Sequence, residues 1–296
     1  MFSFLRCARH FLRRRLVDLL VLQGAPLLGL LLAEPDWGLD TAVRAAWLLL
    51  TSLLLVAQVF SFNDWADRGL DARSADKADG VFTTAEITPA QMLVFSAVLG
   101  ALGLASAVPL LGPRSLIALG VLFAGFLYSH PAASGKGRPF ISSALHFAGQ
   151  VLQFLLGYAV VSAVDPRGVA VGVYFGLVFV AGHLTQEARD HAGDREAGVR
   201  THAVVFGPRK ALWASFVLFT CSFVWLALLG VLELLPRGAI WLCLAYPIYL
   251  AVFVAAVLRG PGFASLSRLQ LGYRAVFAAI GLGMLAILLL DRLRPW

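Results

Sequence analysis

The sequence predicts an all-α fold: a polytopic membrane helical bundle of about nine transmembrane helices around a central cavity. Three observations predict it. The chain of 296 residues is 59% hydrophobic and 14% charged, with a mean hydropathy of +0.81. Soluble domains average about 45–50% apolar and about 25% charged residues, so polar surface cannot cover this chain. Its apolar residues come in runs of about 20, the length that crosses a bilayer core. Lys and Arg gather on alternate connections between those runs.

The runs follow in order. Residues 16–33 come after the basic segment that ends in Arg13, Arg14 and Arg15. No small-residue cleavage site follows them, so the run reads as a permanent span. Residues 42–62 stop at a cluster of charged residues that starts beside Asn63. Residues 90–111 and 114–129 are separated only by Gly112 and Pro113, which predicts a tight helical hairpin. Residues 141–163 start beyond a Gly-, Pro- and Lys-containing loop. Residues 168–186 start beyond Asp165 and Pro166 and stop before Glu187. Residues 210–231, 238–258 and 272–290 complete the set.

With the N-terminus inside, the outer ends keep only Arg44, Arg114, Arg167, Arg237, Arg292 and Arg294, and the other 18 of the 24 Lys and Arg residues lie inside. That bias predicts an integral inner (plasma) membrane protein with a cytoplasmic N-terminus. The long polar loops 63–89, 130–140, 187–209 and 259–271 then all face the cytoplasm. The expected organisation is a single membrane-embedded domain over residues 1–296, capped by the first three of these loops.

The net charge of +7 does not indicate nucleic acid, because the basic residues sit in short loops without interleaved aromatics. The lipid bilayer is the expected surrounding, and no obligatory protein partner is evident. Cys7, Cys221 and Cys243 are odd in number and widely spaced, which predicts no disulfide framework, and Cys221 and Cys243, inside apolar runs, are expected as buried free thiols.

The chemistry concentrates in two acidic stripes. Asp64, Asp67 and Asp71 stand at relative positions 0, 3 and 7, and so do Glu187, Asp190 and Asp194. At about 100° per residue each triplet spans roughly 60° of a helix. Like charges so placed repel, and more so where the dielectric is low. Hard divalent cations relieve the repulsion, and magnesium commonly binds one or two carboxylates together with waters and substrate phosphates. Asn63 adds a carbonyl ligand. Zinc and calcium spacings are absent.

Six ionised carboxylates and a diphosphate ester exceed the charge of two magnesium ions by about five. Arg68, Lys136, Arg138, Arg195 and Arg200 stand in the same loops to offset it, and arginine suits bidentate contact with phosphate. Asp64, Asp67, Asp190 and Asp194 are the candidate catalytic acids.

The chain resembles the UbiA superfamily of membrane prenyltransferases. Residues 63–71, NDWADRGLD, are similar to the family's NDxxDxxxD motif. Residues 187–194, EARDHAGD, match DxxDxxxD with Glu187 in the first position. Tyr128-Ser129-His130-Pro131 with Lys136 resembles the family's YSxP…K loop. The resemblance implies a helical bundle whose cavity opens laterally to lipid. It implies transfer of a prenyl group from an isoprenoid diphosphate to a lipophilic or aromatic acceptor, through an allylic cation. Asn63, Asp64, Asp67, Asp71, Glu187, Asp190 and Asp194 would bind Mg2+ and the diphosphate, assisted by Tyr128 and Lys136. The loop 72–88 departs from the family pattern. It lacks a proline and adds Asp76, Asp79 and Glu86.

Polar residues at membrane depth usually face a bundle interior. His183, Gln186, His146 and Gln150 are therefore the candidate acceptor pocket, joined by Gln153 and Gln58. Phe62, Trp65, Phe126, Tyr128, Phe147, Phe154, Tyr158 and Phe179 are the aromatics available to face a cation. Arg15 reads as a positive-inside anchor. Three alternatives stay open at this point: a terpene cyclase on the same scaffold, a divalent-cation transporter, and a purely structural membrane protein.

Overall fold

A computed structural model describes residues 2–33, 37–68, 87–133 and 135–293. Among them the regular structure is helical. The elements are α1 (Phe2–Leu22), α2 (Gly24–Ala33), α3 (Leu39–Ala66), α4 (Pro89–Leu111), α5 (Leu116–Ser129), α6 (Pro139–Tyr158), α7 (Pro166–Glu196), α8 (His202–Phe206), α9 (Pro208–Val231), α10 (Tyr246–Leu258) and α11 (Phe263–Leu293). Eight helical runs among the described residues are long and apolar enough to span a membrane. One of them, Pro89–Ser129, is two helices that turn back at the 3-10 segment Gly112–Ser115, where Gly112 has φ +57°. The predicted hairpin is there, and the approximate count of nine resolves into eight runs with one folded in two.

Local sequence sets the helix starts. Thr88 and Gln91 form a reciprocal cap on α4: Gln91 N–H donates to Thr88 Oγ1 at 3.2 Å, and Thr88 N–H donates to Gln91 Oε1 at 2.9 Å. Asp165 caps α7 by accepting from Gly168 N–H at 2.7 Å. Pro89, Pro139, Pro166 and Pro208 occupy first turns, where a missing N–H costs nothing.

Three boundaries differ from the sequence expectation. The first span is not limited to 16–33: the helix runs from the basic N-terminal residues through α1, with a break at Gln23. The last helix starts at Phe263, so most of the loop expected at 259–271 is helical. Residues 187–196 are the last turns of α7 and not a loop. With 31 residues, α7 is about 46 Å long at 1.5 Å per residue, against a hydrocarbon core of about 30 Å. The second acidic motif therefore projects past the core on a rigid helix.

Apolar packing falls into three clusters. Cys7, Phe11, Leu19, Val56, Met92 and Phe95 join α1, α3 and α4. Leu30, Leu48, Leu55, Leu111, Val121 and Leu156 join α2 through α6. The largest gathers Phe154, Val171, Phe219, Phe223, Leu226, Tyr249 and Tyr273 from α6, α7, α9, α10 and α11. Many apolar side chains face outward, among them Leu116, Trp241, Leu258 and Leu271, as lipid contact requires. Cys7 is buried, whereas of the two cysteines expected to be buried Cys221 is exposed on the outward face of α9 and Cys243 is half-buried.

Glycine permits the tightest crossing. A Cβ added at Gly157 of α6 would fall inside the backbone of Pro26, and one at Gly29 of α2 would strike the Phe154 carbonyl. A side chain there must push two backbones apart, and overpacking costs about 1–3 kcal/mol or more. We expect Gly157→Val to lower Tm by at least about 3 °C in a scanning-fluorescence melt. Gly281→Ala, where an added Cβ meets open space, should not lower it. Equal melts for wild type and Gly157→Val would contradict this packing.

Candidate functional site

The chain direction gathers the three motifs at one end of the bundle. α3 and α5 end there and α6 begins there, while α7 brings its last turns to the same end. Asp64 and Asp67 close α3 with exposures of 7% and 6%, so neither carboxylate is a solvated helix end. Each holds a basic partner from another element. Arg15 Nη2 of α1 lies 2.5 Å from Asp64 Oδ1. Lys136 Nζ lies 2.6 Å from Asp67 Oδ2. Asn63 Nδ2 donates to the same Asp67 oxygen at 3.1 Å, and its carbonyl accepts from Ser129 Oγ at 3.1 Å. Asp67 Oδ1 has no hydrogen-bond partner among the described residues and remains accessible.

The second motif is built on α7. Glu187, at 4% exposure, is the hub of a histidine cluster. Its Oε2 accepts from the backbone N–H of His202 at 2.9 Å and from His202 Nδ1 at 3.0 Å. His183 Nε2 lies 2.9 Å from Oε1 but out of line for a hydrogen bond. Oε1 is therefore a buried carboxylate oxygen without an aligned donor. The aligned partner of His183 Nε2 is Ser142 Oγ of α6, at 2.9 Å. The His146 and His183 rings stack with centroids 3.7 Å apart, and Tyr128 meets His146 edge-on at 4.6 Å.

Tyr128 stands between the two motifs. Its neighbour Ser129 bonds Asn63 of the first motif at 3.1 Å, and its ring lies 6.4 Å from that of His183, which is 2.9 Å from Glu187 of the second. Asp190 takes a different direction. Arg189 clamps it with Nε–Oδ1 2.7 Å and Nη2–Oδ2 2.8 Å, bonds Gln270 of α11, and lies over the Phe263 ring. Asp190 is thereby held toward α11, away from the histidine partners of Glu187. The reason is helical phase. At about 100° per residue Asp190 lies about 60° around α7 from Glu187, whereas Asp194 lies about 20° from it. Asp71 and the atypical loop 72–88, except Ile87 and Thr88, lie outside the described residues.

The remaining expected contacts divide. Arg68 donates to the Trp65 carbonyl at 2.8 Å and covers the Trp65 ring at 4.8 Å, so it is spent on its own helix. Arg138, Arg195 and Arg200 are exposed and make no ion pair with a described residue. Gln150 is buried and Gln186 half-buried. Gln153 is used between helices, where Ser52 Oγ donates to its Oε1 at 3.1 Å. Among the aromatics, Phe62, Trp65 and Phe126 stack near His130, and Phe179 lies 5.6 Å from His146. Phe154 packs in the core, and Tyr158 bonds Asp165 at the far end of α6, away from the motifs. A cavity of about 570 Å³ lined by Arg167, Glu233, Arg237, Trp241 and Asp291 also opens at that far end and holds no motif residue.

Arg15 is a correction: it pairs with a motif acid and is not only a membrane anchor. His202, Ser142 and Ser143 carry no sequence signal, since their roles arise where α6 and α8 meet α7. Among the described residues, no group of three or more acids, histidines or cysteines closes on one point to hold a metal. The donor set nonetheless fits magnesium. It offers carboxylate oxygens only, with Asp67 Oδ1 open and Glu187 Oε1 lacking an aligned donor, and magnesium needs just one or two carboxylates beside water and phosphate.

Glu187 also positions α8, because His202 is that helix's first residue. Hydrogen bonds to a charged group contribute about 1.5–3 kcal/mol. We expect Glu187→Ala to speed amide exchange across His202–Val205 by at least about tenfold, read by mass spectrometry. Unchanged protection would rule out this anchoring.

The chain is similar to proteins of known type over most of its length. The model of the UbiA prenyltransferase family matches residues 25–269. A digeranylgeranylglyceryl phosphate synthase of Halobacterium salinarum is 31% identical over 180 residues, which is 60% of this chain and 59% of that relative. The chain thus matches about three-fifths of the curated relative's length. A UbiA homolog from Archaeoglobus fulgidus, solved bound to DMAPP and Mg2+, superposes with a TM-score of 0.72 at 22% identity, covering 94% of this chain and 99% of that one. The apo UbiA homolog from Aeropyrum pernix K1 gives a TM-score of 0.71 at 19% identity over 92% and 98% of the two chains. These structural likenesses are of fold. The family match spans well over half the sequence, and the chain belongs to the UbiA prenyltransferase family.

Proposed function

We propose that this protein transfers a prenyl group from an isoprenoid diphosphate to a lipophilic acceptor, with magnesium, at the cytoplasmic face of the membrane. The observation that carries this reading is that the end of α5 touches both motifs: Ser129 Oγ bonds Asn63 at 3.1 Å, and the neighbouring Tyr128 ring lies 6.4 Å from that of His183, itself 2.9 Å from Glu187. Lys136 adds a cation 2.6 Å from Asp67 at the same end of the apolar bundle.

The chemistry follows from those groups. Ionisation breaks the bond between the allylic carbon and its diphosphate oxygen, and the electron pair leaves with pyrophosphate. Lys136 and Arg15 are the cations nearest the acids to receive that charge, and preorganised charge in a dry site favours the transition state strongly. Magnesium, when bound by Asp67 and acids of the second motif, supplies further neutralisation of the leaving group. Tyr128 presents a π-face suited to the allylic cation. The surrounding apolar helices exclude water and take the hydrocarbon tail, at about 0.8 kcal/mol per buried methylene.

The orientation rests on the 18 of 24 basic residues assigned to the inner side. The name of the Halobacterium relative, a digeranylgeranylglyceryl phosphate synthase, supports an acceptor of the glyceryl phosphate class, whose nucleophile is a hydroxyl.

Purified protein should release pyrophosphate from an allylic diphosphate only when magnesium is added. Asp67→Asn and Lys136→Met should each lower that rate by about 10²-fold or more. A fully active Asp67→Asn protein would sink the assignment. Mass spectrometry of the lipid product, with and without a glyceryl phosphate lipid, distinguishes transfer from cyclisation.

A further inference from the structure

We propose that His146 is the general base that takes the acceptor's hydroxyl proton. This rests on the prenyl-transfer reading and adds a catalytic residue to it. His146 lies on α6, one turn beyond Ser142. Its Nδ1 is 2.9 Å from the Ser142 carbonyl oxygen. A carbonyl only accepts, so Nδ1 carries the hydrogen, and the lone pair of the neutral ring stays on Nε2. Nε2 has no hydrogen-bond partner among the described residues and is not sealed off by protein.

The other two histidines of the cluster are already engaged. His202 bonds Glu187 through both its backbone and its ring, and His183 Nε2 is shared between Ser142 and the vicinity of Glu187. The His146 plane is fixed by neighbouring rings: His183 at 3.7 Å, Tyr128 at 4.6 Å and Phe179 at 5.6 Å. An oriented imidazole with one nitrogen on a carbonyl and the other free is the arrangement a general base needs.

The surroundings fit an acceptor. Tyr128, whose neighbour Ser129 bonds Asn63 of the first motif, meets His146 edge-on, so the base stands beside the ring that faces the allylic cation in the prenyl-transfer reading. One turn along α6, an added Cβ at Gly149 would meet open space, about 60° from His146 on the same side of the helix. The buried Gln150 follows, with no hydrogen bond to a described residue. The step balances. The carbon–oxygen bond to diphosphate breaks with its electron pair on pyrophosphate, and the acceptor oxygen bonds the allylic carbon. The hydroxyl proton moves to His146 Nε2 and leaves with the released pyrophosphate.

The test separates ionisation from transfer in the full-length protein in lipid nanodiscs. His146→Asn keeps an N–H for the Ser142 carbonyl and removes the base. Its ionisation is read by positional oxygen-isotope scrambling within an allylic diphosphate plus magnesium. Its transfer is read as ether formation on a glyceryl phosphate lipid. We expect scrambling within about threefold of wild type, and ether formation lowered by about a hundredfold or more. Ether formation within about threefold of wild type, or scrambling that falls in parallel with it, would overturn the proposal. His146→Gln should give the same split and replaces the Asn variant should that one fail to fold. Wild-type protein that shows neither scrambling nor pyrophosphate release would instead remove the prenyl-transfer reading itself.

Discussion

Carboxylates buried at the end of a membrane bundle must each find a cation or a strong donor, and in this protein three motif acids each take one from another element. Asp64 takes Arg15 from α1, Asp67 takes Lys136 from the loop before α6, and Glu187 takes His202 from α8. An unpaired charge in such surroundings costs several kcal/mol, so the acids act as attachment points. They tie α1 to α3, bring Lys136 to the end of α3, and hold α8 on α7. The acidic motifs therefore organise this end of the fold before any ligand is considered.

Apolar packing places those attachment points. In lipid there is little hydrophobic drive between helices, so close backbone approach and interhelical hydrogen bonds carry the association. Gly29 and Gly157 let α2 and α6 cross with backbones in contact. Ser52 with Gln153, and Thr185 with Ser215 at 2.7 Å, bond helices across the interior. α6 is thereby fixed between the α3–α5 side and α7, and the Ser142 and His146 face of α6 lies against His183 and Tyr128. The rigidity of this crossing is what makes a ring stack of 3.7 Å between α6 and α7 possible.

The fold was legible wherever one local rule acted alone. Apolar runs of membrane length gave the spans, and Gly112-Pro113 gave the hairpin at a position where φ is positive. The rule failed where apolarity and helicity part company. The basic residues of α1 and the polar end of α7 are helical although neither belongs to an apolar run. Helical spacing singled out Asp67, Glu187 and Asp194, and the family resemblance added Tyr128 and Lys136. It was not legible as partners. Which acid leans toward Tyr128 depends on the phase of α7, and Arg189 settles Asp190 on the α11 side. Arg15 and His202 are far in sequence from the acids they meet, and no spacing rule links them.

Glu187 stands where the family pattern has aspartate, and its geometry gives a reason for the longer side chain. The extra methylene reaches the first backbone N–H of α8 and the His202 ring at once, at 2.9 and 3.0 Å. An aspartate at the same place on α7 would end about 1.5 Å short of both. One oxygen of the carboxylate is thereby committed to structure and the other, Oε1, is left without an aligned donor. Asp67 repeats the division, with Oδ2 on Lys136 and Asn63 and Oδ1 open. Two acids on opposite helices thus each spend one oxygen on holding the end of the bundle together and keep one in reserve. A hard cation that uses one or two carboxylate oxygens and completes its shell with water and phosphate requires no more than this reserve. That no three such ligands close on one point among the described residues follows from the same division of labour between the two oxygens of each carboxylate.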